Sequence, residues 1–412
     1  MSPNSENGVT RFAWVVVAVL WLAYVINYLD RQVVFSIFPA LKRDLGFTDA
    51  QLGLVGSLFV SVYSLCMPLT GRIADVLRRD RVVAASLALW SLATLGTAIS
   101  RSVGEFLTWR VVMGIMESMY VPAALGLIAA LHTGSTRSRA LATHATAQFI
   151  GIVAGGWYGG WIGDNIGWRP GFYSLTVLGA AYAALLVFVF RGLPPLKPAV
   201  KKAGAASPLA ILRARSYLAL IAAFFAFCVM LWMLYAWLPN FIYERYHLSM
   251  TESGFTATVY LQTSSAIGVV IGGILGDRFG KRIRGGRFYI CGIGLLLCSP
   301  FAYLAISAHS LFLLKVGASV FGLTAGLYMA NHFAATYDVI SERNYGLGTG
   351  VLNMMGGLSG SAAIFLAGLW KNSLGITGLM GWGAAATMIT AAFMIAVVAS
   401  QFTADRHRAG LE

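Results

Sequence analysis

Gly71-Arg72-Ile73-Ala74-Asp75-Val76-Leu77-Arg78-Arg79-Asp80-Arg81 and Gly273-Ile274-Leu275-Gly276-Asp277-Arg278-Phe279-Gly280-Lys281-Arg282 are two versions of one phrase. They stand 202 residues apart, measured from Gly71 to Gly273 and again from Asp75 to Asp277. Each is a Gly-x-x-x-Asp run followed by basic residues, set between long apolar stretches. A motif written twice at half-chain spacing in an apolar chain implies two homologous halves, an organisation typical of transporters. The likeness extends outward. Pro39 precedes Leu45-Gly46-Phe47-Thr48-Asp49-Ala50-Gln51, and Pro239 precedes Leu248-Ser249-Met250-Thr251-Glu252. In both places a span ends at proline and a short loop ends in a Thr-acidic helix start.

The composition agrees. Of 412 residues, 58% are hydrophobic and 11% charged, with a mean hydropathy of +0.72. A soluble domain carries about 25% charged residues. Apolar segments recur over 12–38, 51–74, 82–99, 104–131, 139–163, 170–190, 217–241, 253–276, 288–306, 310–336, 346–369 and 377–400. At 1.5 Å per helical residue each is long enough for a hydrocarbon core of about 30 Å. The expected fold is therefore an all-α membrane protein of twelve transmembrane helices in two six-helix pseudo-symmetric halves. The first apolar run is too long for a signal h-region and is expected to be a retained span. The stretch 191–216, with Pro194-Pro195, Pro198 and Lys201-Lys202, is expected to be a cytoplasmic linker between bundles 1–190 and 217–412. Parallel halves joined in this way imply a central cavity between them.

Net charge +14 would suggest nucleic acid as a partner of a soluble protein, but here the basic residues occupy short loops. With both termini in the cytoplasm, 21 of the 30 Lys and Arg lie on the cytoplasmic side and six on the other. That asymmetry fixes the expected orientation. The expected location is the plasma membrane, a bacterial inner membrane, with the lipid bilayer as partner and no nucleic acid. The four cysteines lie in apolar runs without metal-like partners. No metal or cofactor spacing and no nucleophile motif stands out, so catalysis is not expected. Nothing marks an obligate oligomer, and a monomer is expected.

Charge at a bilayer centre costs at least ~2.5–3.5 kcal/mol, so mid-span charges mark pairing or function. They are Asp30, Arg31, Arg110, Glu117 and Lys315. Arg110 and Glu117 are two turns apart on one face of span four. Tyr24, Asn27, Tyr28 and Arg31 follow i, i+3, i+4, i+7 and form a polar stripe on span one, suited to a water-filled cavity. Asp30 projects about 100° away from Arg31. Asp30 and Glu117 are expected to carry protons, with Arg110 approaching either acid in one conformation. Arg31 is expected to bind a substrate carboxylate through its planar fork. The alternative is a static ion-pair network holding spans one and four together. Lys315 is a second anion contact or a lysine snorkelling to the interface. His144 and Gln148 share a face of span five and line the cavity or bond between helices. Gly151, Gly155, Gly159 and Gly163 repeat every four residues, a small-residue stripe that permits close helix contact.

These features resemble the major facilitator superfamily across essentially the whole chain. The two loop motifs resemble its signature after spans two and eight, and Arg110-Val111-Val112-Met113-Gly114-Ile115-Met116-Glu117 resembles its span-four motif. Gly167-Trp168-Arg169-Pro170-Gly171-Phe172 resembles the turn into its sixth span. The first loop motif departs from the pattern, with Val76 for the usual Arg and Arg78 for the usual Gly, whereas Arg278 and Gly280 keep it. Two branches fit. Asn27-Tyr28-Leu29-Asp30-Arg31, Glu117 with Pro122-Ala123-Ala124, and Gly348-Thr349-Gly350-Val351-Leu352-Asn353 resemble the anion:cation symporter family. That resemblance implies proton-coupled symport of small organic anions such as carboxylates or sugar acids, with Asn353 near the substrate. Asp30-Arg31 with Arg110 and Glu117 also resembles the Spinster-like transporters, which implies lysolipids or similar amphiphiles. The superfamily resemblance further implies a cytoplasmic gate made by Gly71, Asp75 and Arg79 in one half and Gly273, Asp277, Arg278 and Arg282 in the other. The competing explanation is topology alone, since basic loops stay inside in any case.

Overall fold

The computed structural model describes residues 3–132, 134–193 and 211–411. The expected linker falls largely on 194–210, so Lys197, Lys201 and Lys202 lie outside the described residues. The described chain is helical almost throughout. In order it forms α1 (Pro3–Ser36), α2 (Phe38–Leu45), α3 (Asp49–Val76), α4 (Arg79–Ile99), α5 (Val103–Ser118), α6 (Tyr120–Leu131), α7 (Gly134–Asn165) and α8 (Trp168–Phe190). After 194–210 come α9 (Arg215–Tyr246), α10 (Met250–Arg282), α11 (Gly286–Ser307), α12 (Leu311–Tyr337) and α13 (Tyr345–Ala409). Among the described residues ten helical runs are long and apolar enough to cross a membrane.

Ten rather than twelve has two physical causes. The span expected at 139–163 lies within α7, which is 32 residues long but diluted by Thr, His, Gln and Gly, and it does not qualify as an apolar crossing. The spans expected at 346–369 and 377–400 form one continuous run, α13, interrupted only at Gly375. There φ is 67° and ψ is 157°, a region essentially restricted to glycine. The chain turns a corner at Gly375 without a loop of its own.

Helix ends are set by local chemistry. The Thr48 side chain accepts from the Gln51 amide while Gln51 accepts from the Thr48 amide, a complete capping box at the start of α3. The equivalent start of α10 uses Ser249 and Glu252 in the same reciprocal way. Thr251, the expected cap, instead turns to Asp164 at the end of α7. That carboxylate accepts from the Met250 and Thr251 amides at 3.1 and 2.8 Å and from the Thr251 hydroxyl at 2.6 Å. Pro122 explains the break between α5 and α6. It has no N–H for the Ser118 carbonyl four residues back, and the Thr70 hydroxyl of α3 donates to that carbonyl at 3.0 Å.

The chain forms two compact units. The first comprises Met1–Gln51, Leu58–Lys201 and Ser249–Phe255; the second comprises Leu52–Ser57, Lys202–Leu248 and Thr256–Glu412. In the first, α1 lies directly on α7. A Cβ at Gly151, Gly155 or Gly159 would fall 2.6, 2.6 or 2.5 Å from the carbonyl oxygens of Val25, Leu29 and Val33. The stripe of small residues is thus a backbone-to-backbone contact. In the second unit α9 packs on the first half of α13: the Tyr217 hydroxyl donates to the Gly348 carbonyl and the Trp237 indole to the Ile364 carbonyl, at 2.7 and 3.0 Å. Gly356 and Gly360 face the rings of Phe224 and Trp232 across that contact.

Candidate functional site

The close seating of α1 on α7 positions the polar stripe of α1 inside the first unit. Arg31 is the pivot. Its Nε donates to Oε2 of Glu117 on α5 at 2.6 Å, with side-chain exposures of 11% and 0%. Its guanidinium also lies 4.3 Å from the Tyr63 ring centroid, 5.0 Å from Tyr28 and 5.1 Å from Phe59. Aromatic faces stabilise a desolvated cation without neutralising it. Phe59 has a second guanidinium over it, that of Arg110 at 4.8 Å, so one ring contacts both cations.

Arg110 is fully buried and within electrostatic reach of both Asp30 and Glu117. Its Nη1 lies 3.1 Å from the Met113 sulfur. Asp30 leaves α1 on a different face from Arg31, as expected from their adjacency, and accepts from the Thr94 hydroxyl of α4 at 2.9 Å. Its other oxygen, Oδ1, has no hydrogen-bond partner among the described residues. Asn27 is buried beside Glu117. Tyr24 and Tyr28 approach through their hydroxyls at 3.5 Å, and Tyr24 stacks on His144 at 4.6 Å between centroids. His144 Nε2 lies 3.3 Å from the Tyr120 hydroxyl, which donates to the Leu20 carbonyl. His144 is therefore buried in an aromatic stack, and Gln148, one turn on, is half-buried.

Several participants were not singled out in the sequence. Phe59 and Tyr63 are one turn apart on α3, and Thr94 lies on α4. All three are neutral residues in apolar helices, where nothing distinguishes a site residue from packing. Arg31, expected to bind a substrate carboxylate or to join an ion-pair network between spans one and four, holds a carboxylate of the protein itself.

The remaining predicted residues belong to the second unit or to the two loop motifs. In the second unit Lys315 is half-buried with its ammonium 5.3 Å from the Tyr260 ring, and Asn353 is exposed on α13. Asp75 and Arg79 form an i,i+4 pair at 3.6 Å, with Asp75 66% exposed, and Arg79 also donates to the Gly126 carbonyl at 3.0 Å. In the second motif Asp277 meets Arg287 at 3.4 Å, not Arg278 or Arg282, which are exposed. Arg287 bridges onward to Asp338 at 2.8 Å. Asp338 follows α12, and burial raises its carboxyl above the ordinary range while Arg287 pulls it back. Gly71 and Gly273 have open space where a Cβ would stand, so close packing does not explain either glycine.

Membrane-crossing helices enclosing a cluster of paired charges, aromatic rings and hydroxyls define a membrane transporter: charges held this deep mark a solute or ion pathway. The Major Facilitator Superfamily family model matches residues 20–364 and 240–410, and the chain belongs to that family. Among curated relatives, Protein spinster of Drosophila melanogaster is 26% identical over 317 residues, covering 72% of this chain and 51% of that protein. The chain thus spans about half the length of the fly protein. The "Probable sulfoacetate transporter SauU" of Cupriavidus necator is 26% identical over 373 residues, covering 81% of this chain and 84% of that one. A crystal structure of a bacterial homologue of the human lysosomal transporter Spinster, described as inward-facing and unoccupied, superposes with a TM-score of 0.77 at 20% identity. It covers 96% of this chain and 97% of that one.

Proposed function

We propose that this transporter carries small organic anions, carboxylates or sugar acids, in symport with protons by alternating access. The observation that carries the proposal is the buried Arg31–Glu117 pair. In low dielectric a guanidinium needs a carboxylate, and either Glu117 or a substrate can supply one. When Glu117 is ionised it occupies Arg31. When Glu117 takes a proton it becomes neutral, and Arg31 can exchange it for the carboxylate of an incoming anion. Proton and anion then enter together because the buried charge balances with both present or with neither, and not with one alone. Asp30, adjacent in sequence but on another face, is the second proton carrier, and Arg110 is the cation both acids share. Tyr24, Asn27, Tyr28, His144 and Gln148 supply hydrogen bonds and ring surface for the rest of the substrate. Lys315 and Asn353 are proposed as further anion contacts. The relative named as a sulfoacetate transporter supports an organic anion as cargo.

The proposal includes twelve spans, with α7 as the fifth and α13 supplying the eleventh and twelfth on either side of Gly375. It also includes bundles 1–190 and 217–412 joined by a cytoplasmic linker, both termini in the cytoplasm, insertion in a bacterial inner membrane and function as a monomer. The basic loop residues support the orientation. The two loop motifs, with Asp75–Arg79 and Asp277–Arg287–Asp338, are proposed as cytoplasmic gates.

A Spinster-like carrier of lysolipids is the second reading, favoured by the fly relative. Uptake into proteoliposomes under an inward proton gradient separates the two. Radiolabelled sulfoacetate or a hexonate should accumulate, and Arg31→Ala should abolish the accumulation. Transport of lysolipid with no anion moving would transfer the assignment to the lipid branch.

A further inference from the structure

Within the first unit a groove of about 570 Å³ runs between α4 and α8. Small side chains create it. Ala84 and Ala88 on α4 face Ala180 and Ala184 on the antiparallel α8. These positions recur every four residues, so alanine falls where a larger residue would close the gap. At one end the hydroxyls of Ser91 and Thr176 donate to their own helices, to Leu87 and Phe172 carbonyls at 2.8 and 2.9 Å, and leave the wall effectively apolar.

The other end is cationic. Arg81 lines the groove, and Arg191 stands one turn beyond Val187 at the end of α8. Both are exposed, and neither has an ion-pair partner among the described residues. The nearby acids are committed elsewhere, Asp80 to Arg78 at 2.8 Å and Asp75 to Arg79 at 3.6 Å. From Arg81 to Ser91 the groove rises about 15 Å along α4. That is half of a hydrocarbon core of about 30 Å, the depth of one leaflet.

We propose that this groove binds one anionic phospholipid, its phosphate held by Arg81 and Arg191 and an acyl chain laid along the alanines. Depth, shape and charge point to the same occupant: a tail fits the apolar channel, and Arg81 at its mouth, with Arg191 one turn beyond Val187 and neither held by an acid among the described residues, selects a negative headgroup. On the positive-inside orientation this end lies in the cytoplasmic leaflet, where anionic lipids attract juxtamembrane arginines. The site is separate from the Arg31–Glu117 cluster, and its test reads lipid rather than transport.

Native mass spectrometry of the purified full chain in detergent, titrated with phosphatidylglycerol or phosphatidylcholine of identical tails, tests the proposal. The expected result is one phosphatidylglycerol retained per chain in preference to phosphatidylcholine. Arg81→Gln, an exposed position, should lower that preference about fivefold, the effect of one interfacial charge. Ala88→Leu and Ala184→Leu, at exposed positions lining the groove, should weaken both lipids by filling the channel. Equal retention of the two lipids by the unaltered chain would overturn the proposal. So would phosphatidylglycerol binding unchanged in all three variants, or an added mass equal to a second copy of the chain.

Discussion

Glu117→Gln is the substitution that bears most directly on coupling. Glutamine has the shape of a protonated glutamate and cannot ionise, so the variant is locked in the state proposed to admit the anion. In the unaltered protein an incoming carboxylate must displace Glu117 from a 2.6 Å contact with Arg31 in which the acid is fully buried. A hydrogen bond to a charged group contributes about 1.5–3 kcal/mol net. Without that competitor, anion affinity should rise by roughly 10- to 150-fold, since 1.4 kcal/mol is tenfold. The same change strands Arg31 without a countercharge, which costs about 3–5 kcal/mol when no anion is bound. The variant should therefore melt earlier than the unaltered protein and recover most of the loss on adding substrate. Calorimetric titration of the detergent-solubilised protein with sulfoacetate or a hexuronate, at acidic and alkaline pH, reads the affinity. The unaltered protein should bind more weakly as pH rises, and the variant should bind tightly at both. An affinity no greater than that of the unaltered protein, with the same pH slope, would refute the exchange of carboxylates at Arg31.

Three further outcomes are expected. Gly155→Leu should lower the melting temperature by an amount equivalent to at least ~1–3 kcal/mol, because its Cβ alone would sit 2.6 Å from the Leu29 carbonyl; Gly71→Ala, with open space around it, should not destabilise. Asp75→Ala should leave stability within about 0.5 kcal/mol, as exposed pairs do, yet slow proteoliposome uptake; unchanged uptake removes the gate. Asp338 has its folded pKa raised by burial, so its favourable contribution is present below the ordinary carboxylate pKa and lost as pH rises through the folded value. Asp338→Asn should accordingly flatten the decline in melting temperature on that rise, and an identical pH profile would show that Asp338 does not titrate there.

Much of the fold was legible because a bilayer imposes lengths. Apolar runs, positive loops and a duplicated motif are one-dimensional signals. The capping box at Thr48 was legible for the same reason, being local. The start of α10 was less so: Ser249 takes the local role there, and Thr251 answers to Asp164, 87 residues away. At the site, helical periodicity placed Arg110 and Glu117 on one face and separated Asp30 from Arg31. It could not say which guanidinium reaches Glu117, because that depends on how α1 and α5 pack across 86 residues of sequence. Phe59 and Tyr63 escaped notice because a ring beside a cation and a ring in a core look alike in sequence. Arg287 escaped because the duplicated phrase drew attention to Arg278 and Arg282, while the side chain that meets Asp277 begins the next helix.

The glycine stripe on α7 has a mechanical corollary. Its three contacts with α1 repeat with the pitch of the helix, so the two rods mesh like gear teeth. A slip of one residue would bring either the side chains of Ile150, Ala154 and Tyr158 or that of Ile152 toward carbonyls that now face hydrogen. The next matching position is a full turn away, about 5.4 Å. Small displacements along the shared axis are therefore forbidden, and α1 and α7 travel as a single strut. Tyr24 and His144, one on each rod, stack across that contact, so the aromatic end of the site is built into the strut itself.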